Sequence, residues 1–279
     1  MFDRTLFVLV SCCLEEGRTK ILQKVVANLI SENSRINFFN NLMVFDNGST
    51  VPQVADILKK LPNVYRSDEN VGYWSALNWS LNNYQKIFNK NFDFFYVIES
   101  DLLHYKMEKL MIAQDFLDKN PDVGSVRTQK FSVFWKILYR KGSFLSSWTH
   151  DSFNFTAIPT GEKMSLEKSK THPDIYITNM HAKLVGLNRM ELIKKIFSIL
   201  QTKDKVTELD FFTEYFKYYK KTAMLNGGIF TEKLASRLQR HQVVTGSHIT
   251  NQITQKTGYM GTRISYIKKD GFNVTPFGN

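Results

Sequence analysis

Short runs of consecutive apolar residues alternate along the first 130 positions with stretches in which apolar side chains return every three to four residues. The first such run, residues 6–12, predicts a strand, and residues 18–31 then place Ile21, Leu22, Val25, Val26, Leu29 and Ile30 on one face of a helix. A second strand is expected at 42–45, stopped by the turn former Asp46-Asn47-Gly48-Ser49, and a helix follows at 52–60 with Pro52 in its first turn. A short strand at 63–66 leads to a helix at 74–87. Residues 92–98 are apolar at consecutive positions, as in a strand covered on both faces of a sheet, and the run ends in Glu99-Ser100-Asp101. A helix at 107–119 closes at Asn120-Pro121, and 123–128 reads as another strand. Strands separated by helices of this length describe a parallel α/β sheet.

Beyond Gln129 the pattern loosens. It passes through an aromatic stretch to Trp148, a Ser/Lys/Thr-rich segment at 160–171 expected to be a loop, and a strand-like 174–178. Helices are expected at 189–200 and 208–221, followed by a Gly227-Gly228 turn and a tail without a clear pattern. No internal repeat is present. The chain therefore divides into an α/β half, 1–130, and a more helical half of the same domain, 131–279.

Composition supports a packed protein. Of 279 residues 43% are hydrophobic, and 22 Phe with 12 Tyr exceed what a solvated, disordered chain carries. The apolar run 6–13 is too short to span a bilayer, and Glu15-Glu16 behind it argue against a secretion-type cleavage site, so the expectation is a cytoplasmic protein. In that setting the adjacent Cys12 and Cys13, poorly placed for a mutual disulfide, are reduced core thiols. The Asn-x-Ser/Thr triplets at Asn47, Asn78, Asn154 and Asn273 are then chance matches rather than glycan sites. The net charge of +11 favours polyanionic partners: nucleotide phosphates, nucleic acid or an anionic membrane face. It does not choose among them, although no basic block is interleaved with aromatics as in nucleic-acid readers.

Ligands of open α/β sheets gather at the carboxyl ends of the strands, where the polar clusters at Asp46, at 68–70 and at Glu99 and Asp101 all fall. Acids at i and i+2 of an extended segment point the same way and can grip a divalent cation against a diphosphate, neutralising charge on a leaving nucleoside diphosphate. An ordinary acidic turn is the alternative. Gly72 permits a backbone conformation that a side chain would forbid, consistent with close approach to a ligand. Tyr73 and Trp74 either line a pocket or belong to the core.

The ordered runs 42–50 (LMVFDNGST), 70–78 (NVGYWSALN) and 95–101 (FYVIESD) resemble, in order and spacing, the signature of glycosyltransferase family 2 and its relatives with the GT-A fold. The resemblance covers residues 6–128 well and the rest loosely. It implies a Rossmann-like, mostly parallel sheet flanked by helices, a nucleotide-sugar donor half at 1–130, and an acceptor half at 131–279. By position it implies that Asp46 accepts from the base N–H, that Ser49 sits near the nucleoside, and that Asn70 and Gly72 form the donor loop with Asn78 trailing. Ser11 and Ser100 complete the donor-side set, and Asp101 ligates Mn²⁺ or Mg²⁺. Glu99 stands where the family commonly has Asp, which keeps the carboxylate and lengthens it by a methylene. His248 is the late residue that would complete the metal shell. Glu208 or Asp210, at the start of a late helix, is implied as the base that deprotonates an acceptor hydroxyl.

The activity so implied is metal-dependent transfer of a sugar from a nucleoside-diphosphate donor to a hydroxyl on a glycan, a lipid-linked or another acceptor. The family leans to inversion, and the basic charge would suit peripheral contact with an anionic membrane. Two readings compete. A nucleotidyltransferase would carry a Gly-rich basic loop after the first strand, where Ser11 to Arg18 is acidic with a single Gly. A basic nucleic-acid-binding module without catalysis would leave the acids at 46, 99 and 101 unexplained, so no specific nucleic acid is expected as a partner.

Overall fold

A computed structural model describes residues 2–128, 165–179, 184–204, 206, 208–231, 267–268 and 271–277. The first half follows the alternation of the sequence: β1 (Thr5–Ser11), α1 (Glu16–Ile36), β2 (Leu42–Asn47), α2 (Gln53–Leu58), β3 (Val64–Ser67), α3 (Tyr73–Phe88) and β4 (Phe94–Glu99). A two-residue β5 (Leu103–His104) and a 3-10 turn lead to α4 (Leu110–Lys119) and β6 (Val123–Arg127). Then come β7 (Leu166–Lys168), β8 (Ile175–Thr178), β9 (Gly186–Arg189), α5 (Met190–Leu200), α6 (Glu208–Tyr218), β10 (Lys221–Leu225), β11 (Phe230–Thr231) and β12 (Val274–Pro276).

Among the described residues ten strands form one sheet in the order β12-β3-β2-β1-β4-β9-β6-β10-β8-β7, while β5 and β11 pair separately. Strands β3, β2, β1 and β4 are mutually parallel. β9 is antiparallel to both β4 and β6, so β6, and β10 parallel to it, run in the sense of the first four. This is the mostly parallel α/β sheet that the sequence implies.

The consecutive apolar residues of the central strands explain why both faces are covered. In β1, Phe7 and Leu9 pack on one face with Ile21, Leu22, Val25 and Val26 of α1, whereas Leu6, Val8 and Val10 pack on the other with Leu77 of α3 and Ile193 of α5. β4 divides the same way, Tyr96 and Ile98 against Phe95 and Val97. The chain thus reaches β2 and β3 along one face and returns to β4 along the other, on the far flank of β1. That reversal opens a crevice at the carboxyl ends of β1 and β4.

Differences from the sequence reading have physical causes. Ile30, expected on the apolar face of α1, is exposed, and Glu32 is buried in its place, accepting from the Met107 N–H at 3.0 Å and pairing with Arg35 at 2.9 Å. The helix expected to reach residue 221 ends at Tyr218, because residues 222–225 are buried between β6 and β8 as strand β10. Part of the expected 160–171 loop is the edge strand β7, whose short, charged sequence carries no alternating pattern. In the unassigned tail, β12 pairs antiparallel with β3, Val274 opposite Ser67 and Pro276 opposite Tyr65.

Candidate functional site: the carboxyl edge of the parallel strands

β1 ends at Ser11, in register with Asp46 of β2, and Asp46 lies opposite Arg66 of β3. Asp46 is fully buried. Its Oδ1 accepts from the Ser49 hydroxyl, and its Oδ2 lies 3.2 Å from Arg66 Nε. Ser49 Oγ in turn accepts the Cys13 N–H at 2.9 Å, and Arg66 also donates to the Ser49 carbonyl. Burial pushes the Asp46 carboxyl above the ordinary carboxylate range, against the opposing pull of the Ser49 hydrogen bond and the Arg66 charge. The same burial, reinforced by the Asp46 charge, pushes the Cys13 thiol up to about 12, which makes it an inert core group. Cys12 is half-buried, and neither cysteine forms a disulfide among the described residues.

The turn after β2 is locked to the loop after β3. Asn47 donates from Nδ2 to Asn70 Oδ1 at 2.9 Å and accepts the Val71 N–H at 2.8 Å, while Asn70 Oδ1 also accepts the Gly72 N–H at 3.0 Å. Asn70 Nδ2 approaches Cys12 Sγ at 3.4 Å, tying this loop to the end of β1. Gly72 has φ +86 and is the residue from which α3 starts, its carbonyl accepting the Ala76 N–H at 3.1 Å. Trp74 is core, its ring centroid 5.7 Å from Phe197 and 6.3 Å from Phe211, whereas Tyr73 is half-buried. Asn78 is buried on the inner side of α3.

β4 delivers Glu99, Ser100 and Asp101 to the same edge, all three partly exposed, with Glu99 in register with Val10 of β1. Asp101 Oδ2 accepts from Arg18 Nη1 at 3.2 Å, and Asp101 Oδ1 is buried without a hydrogen-bond partner among the described residues. A buried, unpartnered carboxylate oxygen beside a second acid fits a divalent cation. Among the described residues no three His, Cys, Asp or Glu side chains gather as a ligand set.

Asp210 also reaches this edge. α6 precedes β10, which runs in the sense of β1, so the helix begins at the carboxyl end of the sheet. Asp210 stands in its first turn, paired with Lys203 at 2.7 Å, and its neighbour Phe211 packs on Trp74. The side chain of Glu208, and His248 entirely, lie outside the described residues.

The sequence matches no protein-family model and no curated protein. Among solved structures the chain is similar to residues 1–349 of TarS from S. aureus, at 14% identity and a TM-score of 0.48, over 86% of this chain and 63% of that one. It is similar to the same protein in complex with UDP-GlcNAc at 14% identity and a TM-score of 0.47, over 82% and 58%. A mycobacterial protein is similar at 15% identity and a TM-score of 0.41, over 81% and 66%. The chain spans less than two thirds of the length of each. Likenesses of this size concern the path of the chain and say nothing of its chemistry.

Several residues at this edge carry no signal in the local pattern. Arg66, Arg18 and Lys203 each face an acid that the motifs single out, and only the folded register reveals those pairs. The segment around Lys268 and Asn273 is another. Lys268 donates its N–H to Ser75 Oγ at 2.9 Å and pairs with Glu69, and Asn273 Nδ2 donates to Asp68 at 3.1 Å. A strand register and a chain reversal are the signals, and neither is written in a window of neighbouring residues.

Proposed function

We propose that this chain is a nucleotide-sugar glycosyltransferase whose donor site lies in the crevice at the carboxyl ends of β1 to β4. The observation that carries the reading is the convergence there of three separate sequence motifs: the Asn47, Asn70 and Cys12 contacts tie 46–49 and 70–72 to the end of β1, and the β1–β4 register with the Arg18–Asp101 pair brings 99–101 to the same edge. On this reading the Asp46 and Ser49 end receives the nucleoside, and the loop at Asn70 and Gly72, with Asn78 behind it, shapes the donor pocket. Ser11 and Ser100 flank the crevice. The site is polar enough to recognise a base and sits where an α/β sheet binds nucleotides.

Glu99 and Asp101 are the residues that would hold Mn²⁺ or Mg²⁺, with the remaining ligands coming from the diphosphate, water and a late residue such as His248. Such a cation, when bound, supplies charge neutralisation on the leaving nucleoside diphosphate. Asp210, or Glu208 beside it, takes the proton from the acceptor hydroxyl as its oxygen bonds to the anomeric carbon. The bond from that carbon to the phosphate oxygen breaks, and its electron pair leaves with the diphosphate. Attack from the face opposite the leaving group inverts the anomeric centre. The acceptor is a glycan, a lipid-linked sugar or another hydroxyl compound.

Thermal melting of the wild type and of Asp101→Ala against a panel of nucleoside diphosphates and nucleotide sugars, with and without Mn²⁺, tests this reading. Ligand bound only by the folded state raises stability by about 2.7 kcal/mol at one hundred times its Kd. A metal-dependent shift with one base, lost in the variant, is expected. No shift with any nucleotide, together with salt-sensitive binding of nucleic acid, would instead establish a basic binding module.

A further inference from the structure

Arg18 stands in the first turn of α1, where the helix macrodipole is already positive and an acidic side chain is the favourable choice. Its side chain reaches Asp101, whose Oδ1 is buried and unpartnered among the described residues. The contact is thin. A single N–H reaches Asp101 Oδ2 at 3.2 Å, although a guanidinium and a carboxylate can form two parallel hydrogen bonds. The same protein contains a pair that uses the full geometry: Arg4 donates to both oxygens of Asp118 at 2.7 and 2.9 Å. Arg18 and Asp101 are 22% and 15% exposed, so the guanidinium has a route toward solvent and toward anything entering the crevice. Five N–H donors, one of them used on Asp101, form a planar fork suited to phosphate oxygens.

We infer that Arg18 is a diphosphate-binding residue held on Asp101 until a nucleotide arrives, so that nucleotide and divalent cation bind cooperatively. This rests on the nucleotide-sugar reading of the site. The diphosphate draws the guanidinium off Asp101, and the carboxylate so released takes the cation. In the unloaded protein the cation must compete with Arg18, and reciprocity of linkage requires that each ligand strengthen the other by the same factor. The device prevents the acidic rim from collecting free metal and couples metal capture to the presence of a donor.

The test uses the full chain and three ligand conditions: Mn²⁺ alone, followed by the paramagnetic signal of free ion; each of UDP, GDP, CDP and ADP with chelator, by calorimetry; and the two together. Arg18→Gln should bind Mn²⁺ alone about tenfold tighter than wild type, bind the nucleotide alone about tenfold weaker, and lose most of the mutual enhancement. Arg18→Lys keeps the charge without the fork. It should retain wild-type Mn²⁺ affinity and weaken the nucleotide less, which guards against a fold defect in the glutamine variant. Lys24→Gln, removing an exposed charge from the same helix, should change nothing. Equal Mn²⁺ affinity in wild type and Arg18→Gln would overturn the inference while nucleotide binding by wild type keeps the proposed function. Absence of nucleotide binding by wild type would overturn both.

Discussion

Gly48 is the position at which the rim is most sensitive to a single methyl group. Its φ of +65 costs an alanine about 1 kcal/mol relative to glycine. Space makes the larger demand: a Cβ there would lie 2.3 Å from the Glu69 carbonyl carbon and 2.4 Å from the Asn70 nitrogen, both backbone atoms that no rotamer change can move. Relief requires the 69–70 loop to shift away from the β2 turn, at an overpacking cost of about 1–3 kcal/mol. That shift pulls on the Asn47 to Asn70 and Asn47 to Val71 hydrogen bonds, each worth about 1 kcal/mol. With those two bonds weakened rather than lost, Gly48→Ala should cost about 3–5 kcal/mol. Gly227→Ala is the internal control, because its φ is +75 but its nearest neighbour would be the flexible Lys109 Nζ at 3.9 Å. It should show the conformational cost alone, about 1 kcal/mol. Urea unfolding midpoints of the two variants at equal slope measure the difference directly. Equal destabilisation, to within about 0.5 kcal/mol, would refute the packing argument and with it the claim that the two loops form one rigid rim.

His104 is fully buried, and burial holds its imidazole down at about 4. Its folded value lies below the unfolded one, so its contribution to stability is complete above about 6.5 and is lost as pH falls through the window from 6.5 to 4, up to about 3 kcal/mol. Asp46, raised by burial, acts with the opposite sign, losing stability as pH climbs through the region above the ordinary carboxylate value. Comparing the pH dependence of the urea midpoint in wild type and His104→Phe isolates the histidine, and an unchanged slope between pH 6.5 and 4 would exclude it. Asp210→Asn should lower kcat by about 10²–10⁴-fold with little change in donor KM, as expected for loss of a general base, and Lys203→Met should have a smaller effect. Near-normal turnover of Asp210→Asn would move the base elsewhere. Trp74→Ala, emptying a site between Phe197 and Phe211, should cost about 3–5 kcal/mol by urea denaturation, and a loss below about 1 kcal/mol would contradict its place in the core.

The first half of the fold was legible because its strands are buried on both faces. Residues 6–10 and 94–98 are apolar at every position, and the helices between strands bury one stripe each, so both periodicities survive in the sequence. Strand boundaries moved by one or two residues where polar ends such as Asp46 and Asn47 continue the ladder, and α1 runs on to Ile36, five residues past the expected end at 31. The second half was less legible because its strands are short and find their partners at a distance. β9 is inserted between β4 and β6, and β12 crosses most of the chain to reach β3, with nothing in three or four residues to announce the partner. Of the site, the acids and glycines were visible as motifs, while their cationic partners were not, since an arginine in a helix or strand looks the same whether it faces water or Asp46.

The pairing of β12 with β3 also sets the order of events at birth. β3, which carries Arg66 to Asp46 and leads into the Asn70 loop, keeps an open hydrogen-bonding edge until residues 274–276 arrive. Phe277 finishes the join, its ring lying 5.0 Å from the Arg66 guanidinium. During synthesis the Asp46 and Arg66 end of the crevice is therefore among the last parts of the described chain to be completed, some 200 residues after β3 itself has emerged. A chain interrupted before Val274 would carry an exposed strand edge beside Arg66, prone to pair with another such chain. The β12 pairing thus makes the completed β3 edge beside Arg66 something the chain acquires only after residues 274–276 have been made.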